Sequence, residues 1–262
     1  EEMESKEKPK VLYVIPTGQN PSGSTLTIER KREIYKLACE HDLIILEDDP
    51  YFFLNYGRDR APPIGEDDSY VAPQTESFWS MDVEGRVLRF DSFSKIITPG
   101  IRMAFVTGPA PLIQRIVWHT QSTTLHPSGL SQMVVLRLFT HWGEEGFRKH
   151  VRRTQLFYKR RRDAAIESAN RHLHDIAEWG VPEAGMFLWI KLKDIPDTEE
   201  LITQKAVAAK VLFVPGSAFF LGSGKSSYLR AAFSTVPSEQ IDIALQRLSK
   251  LVRDELSSRI RT

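Results

Sequence analysis

The sequence predicts an α/β fold, a mostly parallel sheet with flanking helices, joined to a smaller α+β unit on the C-terminal side. Three observations carry that expectation. Apolar residues 11–15, a helical pattern over 28–38 and apolar residues 43–46 run strand, helix, strand, the order of a right-handed crossover between parallel strands. The first three strands each lead into a polar cluster at the carboxyl end, where open α/β sheets hold their ligands. Three later apolar runs alternate with helical segments and form a second unit.

Val11-Leu12-Tyr13-Val14-Ile15 is continuously apolar, which suits a strand buried on both faces, and Pro16 ends it. Thr17-Gly18-Gln19-Asn20-Pro21-Ser22-Gly23-Ser24 is dense in turn formers whose Asn-Pro step and glycines fix the loop path. Thr27 then precedes a helix with apolar positions 28, 34, 35, 37 and 38 on one face. Cys39 shares that spacing, so it is expected as a small core or boundary residue, and a single cysteine permits no disulfide framework. The second strand, 43–46, delivers Glu47-Asp48-Asp49-Pro50-Tyr51. Residues 55–86 are rich in Pro, Gly and acidic residues and predict a long surface loop, despite the isolated aromatics Tyr70, Phe78 and Trp79.

Residues 87–90 are the third strand, carrying Asp91-Ser92-Phe93-Ser94-Lys95 at its end, and 102–107 the fourth. Helices are expected at 111–119, at 131–140 and from Gly143 through Ile166. The basic run Lys159-Arg160-Arg161-Arg162 spreads around a helix axis and reads as a solvated face rather than a nucleic-acid patch. Strands at 186–190, 211–214 and 228–233, with helices at 198–209 and 239–256, complete the second unit. The division is placed at 1–130 and 131–262.

With 262 residues, 41% of them hydrophobic, the chain is long enough to bury a large core. Thirty-five basic residues nearly cancel thirty-four acidic ones, so overall charge gives no drive towards nucleic acid or an anionic membrane. No apolar run reaches the ~20 residues of a membrane-spanning helix. The opening Glu1-Glu2-Met3-Glu4-Ser5-Lys6 lacks the chemistry of a secretory signal. A cytoplasmic protein is expected, with a mitochondrial one left open because the chain starts without an initiator methionine and reads as a fragment.

A lysine after a strand is ordinarily a solvated loop residue; what distinguishes Lys95 is its company. Asn20, Asp48, Tyr51, Lys95, Arg102 and Arg230 resemble, in order and local spacing, the cofactor site of fold-type I pyridoxal-phosphate-dependent aminotransferases. The motifs Pro16-Thr17-Gly18-Gln19-Asn20-Pro21-Ser22-Gly23, Glu47-Asp48-Asp49-Pro50-Tyr51 and Ser92-Phe93-Ser94-Lys95 are most similar to the branch of kynurenine/2-aminoadipate and fungal aromatic amino acid aminotransferases. The resemblance covers essentially the whole chain but not the whole family enzyme. It implies a partial large domain followed by the small domain. If these residues were the entire polypeptide, weak cofactor binding and little activity would be expected, because the family's upstream segment supplies part of the phosphate cradle.

The resemblance implies a role for each residue. Lys95 is the catalytic lysine, forming the Schiff base with pyridoxal 5′-phosphate and moving the proton of the substrate α-carbon. Asp48 pairs with the pyridine nitrogen, while Tyr51 and Asn20 hydrogen-bond the phenolic oxygen. Ser92, Ser94 and Arg102 hold the phosphate, a task suited to hydroxyls and a guanidinium. Arg230, a charge inside an apolar strand, clamps the substrate α-carboxylate together with Asn20; its structural alternative is an internal salt bridge. Gly185-Met186-Phe187-Leu188-Trp189 resembles the small-domain strand nearest the substrate, with no catalytic role assigned. No metal is expected.

The implied reaction is ping-pong transamination of an aromatic amino acid or 2-aminoadipate with a 2-oxo acid such as 2-oxoglutarate, in a homodimer. β-Elimination or decarboxylation at the same cofactor, a pyridoxal-phosphate-binding effector domain of a transcription regulator, and a truncated inactive paralogue are the alternatives.

Overall fold

Residues 8–67, 70, 71, 73, 76–222 and 224–260 are described by a computed structural model of the chain; the charged opening at 1–6 lies outside them. The chain divides into two compact units. The first draws on Glu1–Thr17, Leu26–Leu54 and Gln74–Arg153, the second on Gly18–Thr25, Asn55–Pro73 and Thr154–Thr262.

The first unit is built on a four-stranded sheet. Its strands are β1 (Val11–Val14), β2 (Ile44–Asp48), β3 (Val87–Ser92) and β4 (Ala104–Thr107), hydrogen-bonded in that order. β1, β2 and β3 run parallel, and β4 returns antiparallel to β3. The crossover helix α1 (Ile28–Glu40) is capped by Thr27, whose side chain accepts from the Arg30 amide. It covers one face of the sheet, where Ala38, Ile45, Phe78 and Val87 form a core with Val14, Ile34 and Tyr35 packed against it. Cys39 is half-buried at the edge of this helix, a boundary position.

The opposite face of β1 departs from expectation. Val11 is 50% exposed and Tyr13 58% exposed, so this strand is covered on one side only. Strand alternation explains it: Val14 points to the core, and the residues one step away point outwards. β2 outlasts its apolar run because the ladder continues through Val14↔Glu47 and Asp48↔Phe90. β4 starts two residues later than predicted. Arg102 lies before it in a left-handed conformation (φ 50°), closing the short 3₁₀ turn Pro99–Ile101.

Helix α2 (Ala110–Thr123) follows. The two further helices expected from the sequence are both present within Gly129–His172, together labelled α3, and are separated by a kink at Gly143. There the backbone takes φ 59°, ψ −168°, a conformation open to glycine and costly for other residues.

The second unit holds an antiparallel sheet of β5 (Ala177–Trp179), β6 (Phe187–Leu192), β7 (Val214–Pro215) and β8 (Tyr228–Ala232) in the order β5-β6-β8-β7. β5 had no sequence signal strong enough to announce it, and the strand expected at 211–214 shrinks to two residues. The helix expected at 198–209 is present over 199–208, with a wide π-type segment, Leu201–Ala206, at its centre. Helix α4 (Ser238–Ile260) buries Ile241, Leu245, Leu248 and Val252, one stripe at helical spacing.

Two expectations are corrected by burial. The 55–86 segment is not simply a surface loop: Tyr56 and Phe78 are fully buried and Tyr70 nearly so. Scattered aromatics without periodicity act here as anchors, and the Tyr56 hydroxyl donates to the Gly185 carbonyl at 3.2 Å. The basic run is likewise not a solvated face. Arg162 is 1% exposed and donates to the carbonyls of Asp59, Pro182 and Gly57 at 2.6, 2.8 and 3.4 Å. Lys159, also buried, donates to the Tyr56 carbonyl at 2.7 Å. These cations satisfy loop carbonyls, and the bonds to those of Tyr56 and Pro182 are buried. None of the described helices is long and apolar enough to cross a membrane.

Candidate active site

In the first unit, the parallel pairing of β2 with β3 places Asp48 opposite Phe90, so Asp48 and the Ser92–Lys95 turn leave the sheet at the same carboxyl edge. The three consecutive acids at the end of β2, Glu47, Asp48 and the following Asp49, part company there because successive side chains of extended chain face opposite ways. Glu47 and Asp49 turn inwards and are fully or almost fully buried. Asp48 turns the other way, is half-buried, and accepts a 2.5 Å hydrogen bond at Oδ2 from the Tyr13 hydroxyl. Partial burial, followed by the bond to Asp48, pushes the Tyr13 phenol up to about 12.

The inward acids surround Arg89. Its guanidinium makes a bidentate pair with Asp91, with Nε to Oδ2 and Nη2 to Oδ1 both at 2.8 Å. Nη1 lies 3.3 Å from Glu47 Oε1 and 3.7 Å from Asp49 Oδ2, and the guanidinium sits 4.3 Å from the centre of the Phe52 ring. Glu47 also accepts from the Phe78 and Trp79 amides at 2.8 and 3.0 Å, while Thr17 donates to Asp49 Oδ2 at 3.0 Å. Lys31, 2% exposed, donates to the Glu76 carbonyl, and its burial lowers its pKa. Burial raises the Asp49 carboxyl to about 7, against the opposing pull of Arg89. This network underlies the strand ends that carry Asp48 and the lysine turn.

The turn itself is held from several sides. Phe93 N donates to the Met103 carbonyl at 3.1 Å, and Ile97 N to the Phe93 carbonyl at 2.9 Å. Ser94 N donates to the Ser92 hydroxyl at 3.2 Å. Phe93 packs against Phe105 and Phe139, with ring centres 5.5 and 5.6 Å apart. The buried Ile96 carries a carbonyl that accepts from His150 Nε2 at 2.6 Å. Lys95 stands half-buried between these anchors. Arg102 is exposed, and its Nη1 reaches the Pro99 carbonyl at 3.5 Å. Tyr51 is buried at 5% exposure, three residues beyond Asp48.

The second unit brings together Asn20 and Arg230, which lie 210 positions apart: Arg230 Nη1 donates to Asn20 Oδ1 at 2.7 Å. Arg230 sits on β8 opposite Trp189 of β6, with its guanidinium 4.2 Å from the Phe187 ring centre and 5.0 Å from that of Phe219. Aromatic faces on a guanidinium keep it charged while shielding it from water. The Asn20 turn is fixed by Gln19 N to the Ser24 carbonyl (2.8 Å), Gly18 N to Thr25 Oγ1 (3.1 Å) and Ser22 N to Gln19 Oε1 (2.9 Å). Gly18 takes φ +55°, and a Cβ there would lie 2.7 Å from the Ala184 carbonyl carbon. Only glycine lets these two backbones cross so closely.

Of the residues expected from the sequence, Asp48, Tyr51, Ser92, Ser94, Lys95 and Arg102 lie in the first unit and Asn20 and Arg230 in the second, while Tyr13, Thr17, Lys31, Glu47, Asp49 and Arg89 had been given no role. One signal was available: Arg89 interrupts an apolar strand, and a charge there requires buried partners.

A parallel-sheet unit with a lysine turn at its strand ends and a separate antiparallel α+β unit are the architecture of fold-type I aminotransferases. The sequence profile described as "Aminotransferase class I and II" matches residues 1–248, and the chain belongs to that family. It is 48% identical over 253 residues to the mitochondrial kynurenine/alpha-aminoadipate aminotransferase of Mus musculus, covering 96% of this chain and 56% of that protein. It is 42% identical to aminotransferase tdiD of Emericella nidulans, covering 94% of this chain and 55% of that one. Among solved structures, the Pyrococcus horikoshii kynurenine aminotransferase in complex with PMP superposes with a TM-score of 0.83 at 32% identity, over 94% of this chain and 57% of that one. The chain thus spans a little over half the length of the relatives it matches.

Proposed function

We propose that the polypeptide carrying this chain is a pyridoxal 5′-phosphate-dependent aminotransferase, moving an amino group from an aromatic amino acid or 2-aminoadipate to a 2-oxo acid such as 2-oxoglutarate. The observation that carries this reading is the common carboxyl edge of β2 and β3, which presents the Asp48 carboxylate and the Ser92–Lys95 turn together. The names of the relatives support the substrate class. The donor set fits the cofactor: hydroxyls and an exposed guanidinium for a phosphate dianion, a carboxylate for a pyridinium and an amine for an aldehyde.

When bound, pyridoxal phosphate supplies an electron sink for the carbanion left by loss of the α-proton. The chain's own residues do the rest. Lys95 would hold the aldehyde, and its amine would move the α-proton. Asp48 would accept a hydrogen bond from the ring nitrogen and keep its proton in place. Tyr51 and Asn20 would donate to the phenolic oxygen, Ser92, Ser94 and Arg102 to the phosphate. Arg230 clamps the substrate α-carboxylate, with Asn20 holding its guanidinium in orientation. Homodimerisation accords with the exposed apolar side chains of Trp118, Leu130, Met133 and Leu136 on α2 and α3. The mammalian relatives' mitochondrial designation supports that compartment alongside the cytoplasmic one.

The test is a single half-reaction. Mixing the intact holoenzyme with kynurenine or 2-aminoadipate should yield one equivalent of the pyridoxamine form and the matching 2-oxo acid, and Lys95→Ala should lower that rate by at least about 10⁴-fold. Consumption of the amino acid with release of carbon dioxide and without the pyridoxamine form would overturn transamination.

A further inference from the structure

We propose that Tyr13 is a positioning residue for Asp48, holding one carboxylate oxygen so that the other faces the ring nitrogen of the cofactor; this rests on the role given to Asp48 above. The register pairs Tyr13 with Leu46, and Asp48 lies two residues further along β2, so Tyr13 and Asp48 stand on the same face of the sheet. The Tyr13 hydroxyl donates to Oδ2 at 2.5 Å, and among the described residues no hydrogen bond engages Oδ1. The neighbouring acids cannot take this part, because Glu47 and Asp49 point inwards to Arg89. Asp48 receives no help from that buried network. A carboxylate at a strand end has a free χ1 and χ2, and a phenol fixed on the adjacent strand removes that freedom at the oxygen it binds. The phenol keeps its proton at neutral pH, so it remains a donor throughout the working range.

The experiment compares affinities of the intact apoprotein for pyridoxal 5′-phosphate and for the analogue with carbon in place of the ring nitrogen. Wild type should prefer the nitrogen-bearing compound, and Asp48→Asn should remove that preference. Tyr13→Phe, which keeps the ring and its packing, should reduce the preference about threefold to tenfold, the effect of one hydrogen bond to an ionised group at a partly exposed site. The double variant should be no worse than Asp48→Asn alone. Equal loss of affinity for both compounds in Tyr13→Phe would mark a merely structural role and overturn the proposal, as would an unchanged preference. If Asp48→Asn itself keeps the preference, the role of Asp48 falls first; if Asp48→Asn loses it and Tyr13→Phe does not, only the proposal for Tyr13 falls.

Discussion

Asp48 and Asp49 are neighbours with opposite surroundings, and a strand's two-residue period is the whole cause. Asp48 meets a tyrosine on the outer face; Asp49 is sealed beside Arg89, Glu47, Thr17 and Lys31 on the inner one. Burial raises the Asp49 carboxyl to about 7, so the folded state holds this proton more tightly than the unfolded chain does. The sign follows: its contribution to stability is complete below the ordinary carboxylate range and is lost as pH rises through about 7. Asp49→Asn keeps an acceptor for Thr17 and cannot ionise. Relative to wild type, this variant should therefore gain about 2 kcal/mol between pH 5 and pH 8, read by chemical denaturation at each pH. A difference that does not change with pH would refute this account.

At the scale of elements, the two buried cations of α3 do what a helix face seldom does. Lys159 and Arg162, three residues apart, lie on one side of the helix and cap carbonyls of the 55–73 segment. Among its described residues that segment forms no helix or strand longer than the short turn Phe52–Leu54 that precedes it, and the helix supplies donors to its carbonyls. Arg162→Met keeps much of the side-chain volume but strands the carbonyls of Asp59 and Pro182 and leaves Asp163 without its 2.6 Å partner. A loss of about 3–5 kcal/mol is expected, measurable by urea unfolding. A cost below about 1 kcal/mol would mean that water replaces the guanidinium.

For the whole molecule, the exposed apolar side chains of the first unit's sheet are the feature with consequences. Val11 and Phe105 are 50% and 45% exposed, Val11 on the same face as Asp48 and Phe105, paired with Asp91, on the opposite one. Apolar strand surface of this kind promotes association. The 262-residue chain expressed by itself should bind a hydrophobic dye such as ANS strongly, and the pair Val11→Thr and Phe105→Thr should roughly halve that signal while far-UV circular dichroism stays unchanged. Dye binding that is indifferent to both substitutions would place the apolar surface elsewhere.

The sequence by itself determined the order of the elements, because apolar periodicity and turn residues act locally: the crossover β1, α1, β2, the lysine turn after β3 and the helix α4 were all legible. The candidate residues were named from motifs ordered along the chain. Tertiary structure alone decided which acids are buried, since Glu47, Asp48 and Asp49 look alike until neighbouring strands give the sheet two unequal faces. It alone revealed Arg162 and Lys159 as internal donors, because helical spacing says which residues share a side but not which side meets loop carbonyls. Tyr13 escaped sequence reading for the same reason. A tyrosine in an apolar strand reads as core, and only the parallel register of β1 with β2 sets its hydroxyl against Asp48, 35 positions away.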